Sequence, residues 1–62
     1  MIVKEYEYEG YIIELHEHPI YKDYEFVIKS KDGKVITAST HPYDYLQDAD
    51  STAKLTILKI ND

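Results

Sequence analysis

Sixty-two residues carry twelve acids, seven lysines, no arginine, no cysteine and no tryptophan, for a formal charge of −5. A chain this short makes one domain, spanning 1–62, and the missing thiols exclude disulfide staples, zinc–thiolate centres, a thiol nucleophile and haem attachment. The longest apolar run cannot span a bilayer, the opening residues lack signal-peptide grammar, and clustered lysine and arginine for gripping phosphate are absent. The expectation is a cytoplasmic protein with no membrane and no direct nucleic-acid partner.

Alternation of side-chain character sets the first half as strands. In Val3–Tyr8 glutamates alternate with valine and tyrosine, and in Tyr11–Glu17 Ile13 and Leu15 fall in phase with Tyr11. Glu9-Gly10 between them reads as a two-residue hairpin turn, since glycine takes positive φ without steric cost. Pro19 closes the second strand, because proline has no N–H to give a ladder. A third strand is expected over about 24–30. Asp32-Gly33 is a strong hairpin signal, and the fourth strand returns over about 34–39.

The period then changes. Leu46, Ala49, Ala53, Ile57 and Ile60 recur at spacings of three and four, one stripe of a helix over about 44–60. Thr40, His41 or Asp44 suits its cap, Asp48 and Asp50 suit its positive end, and Lys54 and Lys59 its negative end. Thr56-Ile57-Leu58 is β-branched and opposes helix in the last turn. The expected architecture is α+β: a four-stranded antiparallel meander, β-β-β-β-α, with the helix packed on one face.

A two-residue turn at 9–10 places Tyr6, Tyr8, Tyr11, Ile13 and Leu15 on one face. The same reasoning at 32–33 adds Ile28 opposite Thr37 and Phe26 opposite Ser39, joined by Tyr24 and Val35. This is the expected bed of the helix. The other face should carry Glu5 opposite Glu14, Glu7 opposite Ile12 and Val3 opposite His16, with Val27, Ile36, Ala38, Glu25 and Lys29. Residues 5–25 hold seven acids against Lys22 alone, whereas from residue 26 five lysines balance five aspartates. A half-apolar face rimmed by acids has the character of a docking surface or dimer interface.

His16-Glu17-His18 is the one stretch with metal-ligand spacing, since residues two apart on a strand project to the same side. His41, Glu14 or Glu5 could complete such a site. Two surface histidines in an acidic stretch explain the same pattern. Asp44, Asp48 and Asp50 lack the alternation and central glycine of a calcium loop and are read as helix-start acids. Both glycines belong to turns, so no phosphate loop exists, and Ser30, Ser39 and Ser51 lack a nucleophile's setting. Glu5 and Glu14 could form an acid–base pair only inside a recess, for which the sequence gives no sign. No enzyme and no cofactor is expected. Seven tyrosines suit a thin core with a wet rim, and on a surface they make rigid contacts.

From Tyr24 to Ile57 the chain reads Tyr-Glu-Phe-Val-Ile, Asp-Gly-Lys-Val-Ile, then Ser, Tyr, Asp-Ala, Ala-Lys and Ile. This resembles the strand-turn-strand-helix pattern of small uncharacterised bacterial and phage proteins. The likeness covers about half of the chain, rests on fold determinants and implies no site. By type alone, a small acidic cysteine-free domain is also similar to phage-encoded inhibitors, including anti-CRISPR and anti-restriction proteins. The functional expectation is a non-enzymatic module that binds a larger protein with a basic surface, in place of nucleic acid. Glu5, Glu7, Glu9, Glu14, Glu17 and Asp23 would supply the charge, with Ile12 and Ile36 as anchors. The alternatives are a domain that pairs with itself as a homodimer, and a weak metal binder through His16 and His18.

Overall fold

The computed structural model describes all 62 residues. Four strands, β1 (Ile2–Tyr8), β2 (Tyr11–Glu17), β3 (Tyr24–Ser30) and β4 (Val35–Ala38), precede one helix, α1 (Leu46–Asn61). The strands form a single antiparallel sheet in chain order, so every connection within it is a local hairpin. The helix crosses one face over β3 and β2. The four-stranded meander with a C-terminal helix is as the sequence pattern predicts.

The first hairpin closes with Tyr8 opposite Tyr11, Tyr6 opposite Ile13, and Lys4 opposite Leu15. Glu9 and Gly10 both take positive φ, 50° and 87°, the pair of left-handed residues that a type I′ turn needs. Near the chain start the register slips. Ile2, not Val3, stands opposite His16, and Val3 is the extra residue of a bulge.

The second hairpin departs further from expectation. Gly33 has φ +94°, but Asp32 stays on the ordinary negative side, so the turn is not the two-residue type. The Gly33 N–H donates to the Ser30 carbonyl at 2.9 Å, and the Ser30 N–H donates to the Lys34 carbonyl at 2.8 Å. That is a three-residue loop, a type I turn followed by a left-handed glycine. The Ser30 hydroxyl fixes it, donating to the Asp32 carboxylate and accepting from the Lys34 N–H at 3.2 Å. Hydrogen bonding from Ser30, then from the Lys34 backbone, holds the Asp32 carboxyl below its ordinary range.

This loop puts Val35 opposite Lys29, one step away from the two-residue register. A second irregularity then makes Ile36 the extra residue and restores Ile28 opposite Thr37 and Val27 opposite Ala38. Val35 therefore does not join the core; it is 62% exposed.

The core is small. Ile13, Leu15, Phe26 and Ile28 from the sheet meet Ala49, Ala53 and Ile57 from the helix, with Tyr6, Tyr8, Tyr11, Tyr24, Tyr43 and Leu46 packed around them. The two alanines let the helix lie close, so Ile57 is its one large fully buried side chain. Ile60, expected in the stripe, is exposed beyond the sheet's edge of cover.

The helix starts later than its acids suggest. Tyr43 is drawn into an antiparallel bridge with Tyr24, with reciprocal N–H to carbonyl bonds of 2.8 and 2.7 Å. That keeps the chain extended through residue 43, and the N-cap falls on Tyr45, which makes no side-chain capping bond. None of Thr40, His41 or Asp44 is the cap. At the far end the β-branched run stays helical, with Ile57 buried against the sheet, and the Thr56 hydroxyl donates to the Thr52 carbonyl at 2.8 Å.

Candidate docking surface

With the helix on one face, the other is open. Its rows follow from the register: Glu5–Glu14–Val27–Ala38 across all four strands, Glu7–Ile12–Lys29 beside it, and Ile2–His16–Glu25 at the end near the 18–23 turn. Ile12 and Val27 are half-buried, Ala38 and the three flanking glutamates are exposed.

Glu14 is the exception among the acids. It is 5% exposed, although nothing but side chains of its own face lies above it. Lys29 Nζ is 2.8 Å from one carboxylate oxygen and His16 Nε2 is 3.1 Å from the other. The lysine stem and imidazole cover the carboxylate, and every buried side-chain polar atom has a partner. Donation from Lys29 holds the Glu14 carboxyl below its ordinary value; burial opposes this, and the bond from His16 reinforces it. The arrangement resolves the like-charge pair that the register creates, since Glu5 faces a neutralised Glu14. A carboxylate so held is a poor general acid and is closed to a partner, which removes Glu14 from the exposed docking acids.

The remaining candidates separate into three places. Glu5, Glu7 and Glu9 follow one another along β1 and its turn, all exposed. Glu5, Glu7 and Ile12 border one shallow depression with Tyr6 and Lys31, whose Nζ lies 2.9 Å from Glu7. Glu17 belongs to the helix side, at the strand end, where it accepts a 3.1 Å hydrogen bond from the Tyr24 hydroxyl. That bond is the main reason the Tyr24 phenol is raised above its ordinary value. Asp23 lies in the connection before β3, its carbonyl accepting the His18 N–H. Ile36 is exposed at the β4 bulge.

His16 and His18 do not act together. His16 is bound to Glu14, whereas the strand has ended before His18, whose Nδ1 accepts the N–H groups of Ile20 and Tyr21 at 3.3 Å each. His41 Nδ1 lies against the Pro42 carbonyl at 3.1 Å. Nowhere do three or more histidine, aspartate or glutamate side chains gather in a way that could hold a metal ion.

A polar cluster missed by the sequence reading joins the helix to β1. The Tyr6 hydroxyl donates to the Asp50 carboxylate, and Lys54 lies 3.6 Å from that carboxylate and 5.8 and 5.6 Å from the Tyr6 and Tyr8 ring centres. Lys4 covers Tyr6 from the strand side at 5.1 Å. Desolvation, then the bond to Asp50, raises the Tyr6 phenol above its ordinary value. Placing Tyr6 and Asp50 on facing surfaces required the helix orientation, which periodicity alone does not supply.

No helix is long and apolar enough to cross a membrane. No family model, curated protein or solved structure matches the chain.

Proposed function

We propose that this protein is a non-enzymatic binding module that sets the acidic margin of its open sheet face against a basic surface of a larger protein. The observation that carries this reading is the run of Glu5, Glu7 and Glu9, exposed along an edge strand and its turn and continuous with the apolar Ile12. Such a margin supplies the potential that steers encounter, and the half-buried aliphatic beside it supplies contact area. If the partner's surface normally grips nucleic acid, the three carboxylates stand where phosphates would, and the module acts as an inhibitor of the anti-CRISPR or anti-restriction type. Glu14 supports the surface from within, by holding Lys29 and His16 in place, and does not meet the partner.

The test is capture from the host's lysate with wild type and with the triple variant Glu5→Lys, Glu7→Lys, Glu9→Lys, eluted along a salt gradient. The expected result is a basic protein retained by wild type, released by moderate salt, and lost with the triple variant. Equal retention by the folded triple variant overturns the reading.

A further inference from the structure

Two lysine–glutamate pairs stand on the open face, and they differ in exposure. The side chains of Lys29 and Glu14 are 29% and 7% exposed, whereas those of Lys31 and Glu7, 2.9 Å apart, are 65% and 57% exposed. The sealed pair is costly to break, because parting it leaves a carboxylate buried without its cation. The open pair is not, since water solvates either partner as soon as it leaves. Lys31 also comes from a distance: it lies in the loop after β3 and reaches across β2 to a carboxylate on β1. Its root is fixed by the bonds among Ser30, Asp32 and Lys34 that close the loop, while its ammonium head is free to leave.

Lys31 lines the shallow depression of about 380 Å³ together with Glu5, Tyr6, Glu7 and Ile12. The depression thus already receives a cationic side chain, one of the chain's own, beside the half-buried aliphatic Ile12. The match is incomplete. An ammonium is a compact point charge; Lys31 meets Glu7, and Glu5, two residues away on the same face, is in no ion pair. A guanidinium is planar, more weakly hydrated and carries five donors on a fork. It can therefore take both carboxylates while its stem covers Ile12.

We infer that Lys31 makes an autoinhibitory contact: in the free protein it holds Glu7, and an arginine side chain of the basic partner displaces it to enter the depression between Glu5 and Glu7. The inference rests on the docking reading and adds to it the side chain that is recognised and the one that guards the place. An exposed pair of this kind is closed about three times as often as it is open, so the depression is open about one time in four. Apparent affinity falls in the same proportion, and removing Lys31 should tighten binding about fourfold.

The test is a titration of the isotope-labelled protein with a blocked tri-arginine peptide and with its neutral tri-citrulline analogue, read by nuclear magnetic resonance. Wild type should bind the first saturably, with shifts at Glu5, Glu7 and Ile12 and a parallel change at the Lys31 ammonium, and should not bind the second. Lys31→Ala should bind tri-arginine about fourfold tighter. Lys34→Ala removes the same charge from the same loop, but from a side chain in no ion pair, and should change affinity by less than about 1.5-fold. In a Glu7→Gln background the two alanine variants should behave alike. Equal effects of the two in the wild-type background, a Lys31→Ala effect that survives Glu7→Gln, or a Lys31 ammonium still on Glu7 at saturation overturns the inference and leaves the docking reading standing. Absence of saturable shifts with tri-arginine overturns the arginine site too, and the docking reading then stands or falls on the lysate capture alone.

Discussion

The two faces of the sheet each bury a central stripe, by opposite chemistry. Under the helix, Ile13, Leu15, Phe26 and Ile28 exclude water with hydrocarbon alone, and the closing surface is supplied by alanine and isoleucine. On the open face there is no covering element, and Glu14 is sealed by a lysine stem and an imidazole from neighbouring positions. The first arrangement gains stability from area removed from water. The second gains little net, because desolvating the ions offsets much of their attraction, but it becomes costly to break once formed. A thin domain can thus have a strong face and a fixed face, the latter holding its geometry while remaining available to a partner.

The largest expected effect comes from breaking the covered face. Ile57→Ala removes the helix's one large buried side chain and should cost about 2–4 kcal/mol, a large share of the stability of so small a domain, read as a lower urea midpoint or loss of cooperative unfolding. If Ile57→Ala unfolds at the wild-type midpoint, the helix is not what closes the core.

The next contrast lies within a single row of the open face. Glu14→Ala leaves Lys29 and His16 without their shared partner and should cost about 2 kcal/mol, whereas Glu5→Ala, directly across the ladder, should change stability by less than about 0.5 kcal/mol. Acid sharpens the same comparison. A carboxyl with a lowered folded-state value stabilises fully above its ordinary 4.5, and that contribution is lost as the pH falls below 4.5 through the folded-state value. Wild type should lose stability over that window, and Glu14→Gln should lose less of it. Equal acid sensitivity in both would show that Glu14 is not the linked group.

A smaller loss than at Ile57 or Glu14 is expected at the seam between helix and β1. Tyr6→Phe removes the hydrogen bond to Asp50 and should cost about 1 kcal/mol. In an ultraviolet titration, Tyr6 and Tyr24 should ionise above the ordinary 10 of a phenol, and Tyr6→Phe should delete one of these two late transitions. Raised phenols stabilise the fold below their ordinary 10, and this is lost as the pH rises through the folded-state values.

Much of this architecture was legible because the first hairpin is over-determined. Strict alternation on both sides of Glu9-Gly10 allows one register, and the two positive φ values agree with it. The second hairpin was not, because Asp-Gly serves both the two-residue turn and the three-residue loop. The choice was made by the Ser30 hydroxyl, a local side-chain bond that periodicity does not register. The helix start was misplaced for a tertiary reason, the Tyr24–Tyr43 bridge. On the open face the error was one of neighbours. Glu14 is paired by register with Glu5 and weighed beside His16 only as a metal ligand, although His16 two residues on and Lys29 on β3 occupy the same face and can neutralise it directly. Reading those neighbours would have shown a lysine and an imidazole converging on one acid.

The two bulges have a bearing on crowding. A sheet in chain order ends in two naked borders, β1 and β4, and naked borders invite further strands from other molecules. Here each border is kinked by one extra residue, Val3 on one side and Ile36 on the other, and β4 is only four residues long. Neither offers the flat, regular ladder that a growing fibre copies, so both borders are blunted against the addition of further strands.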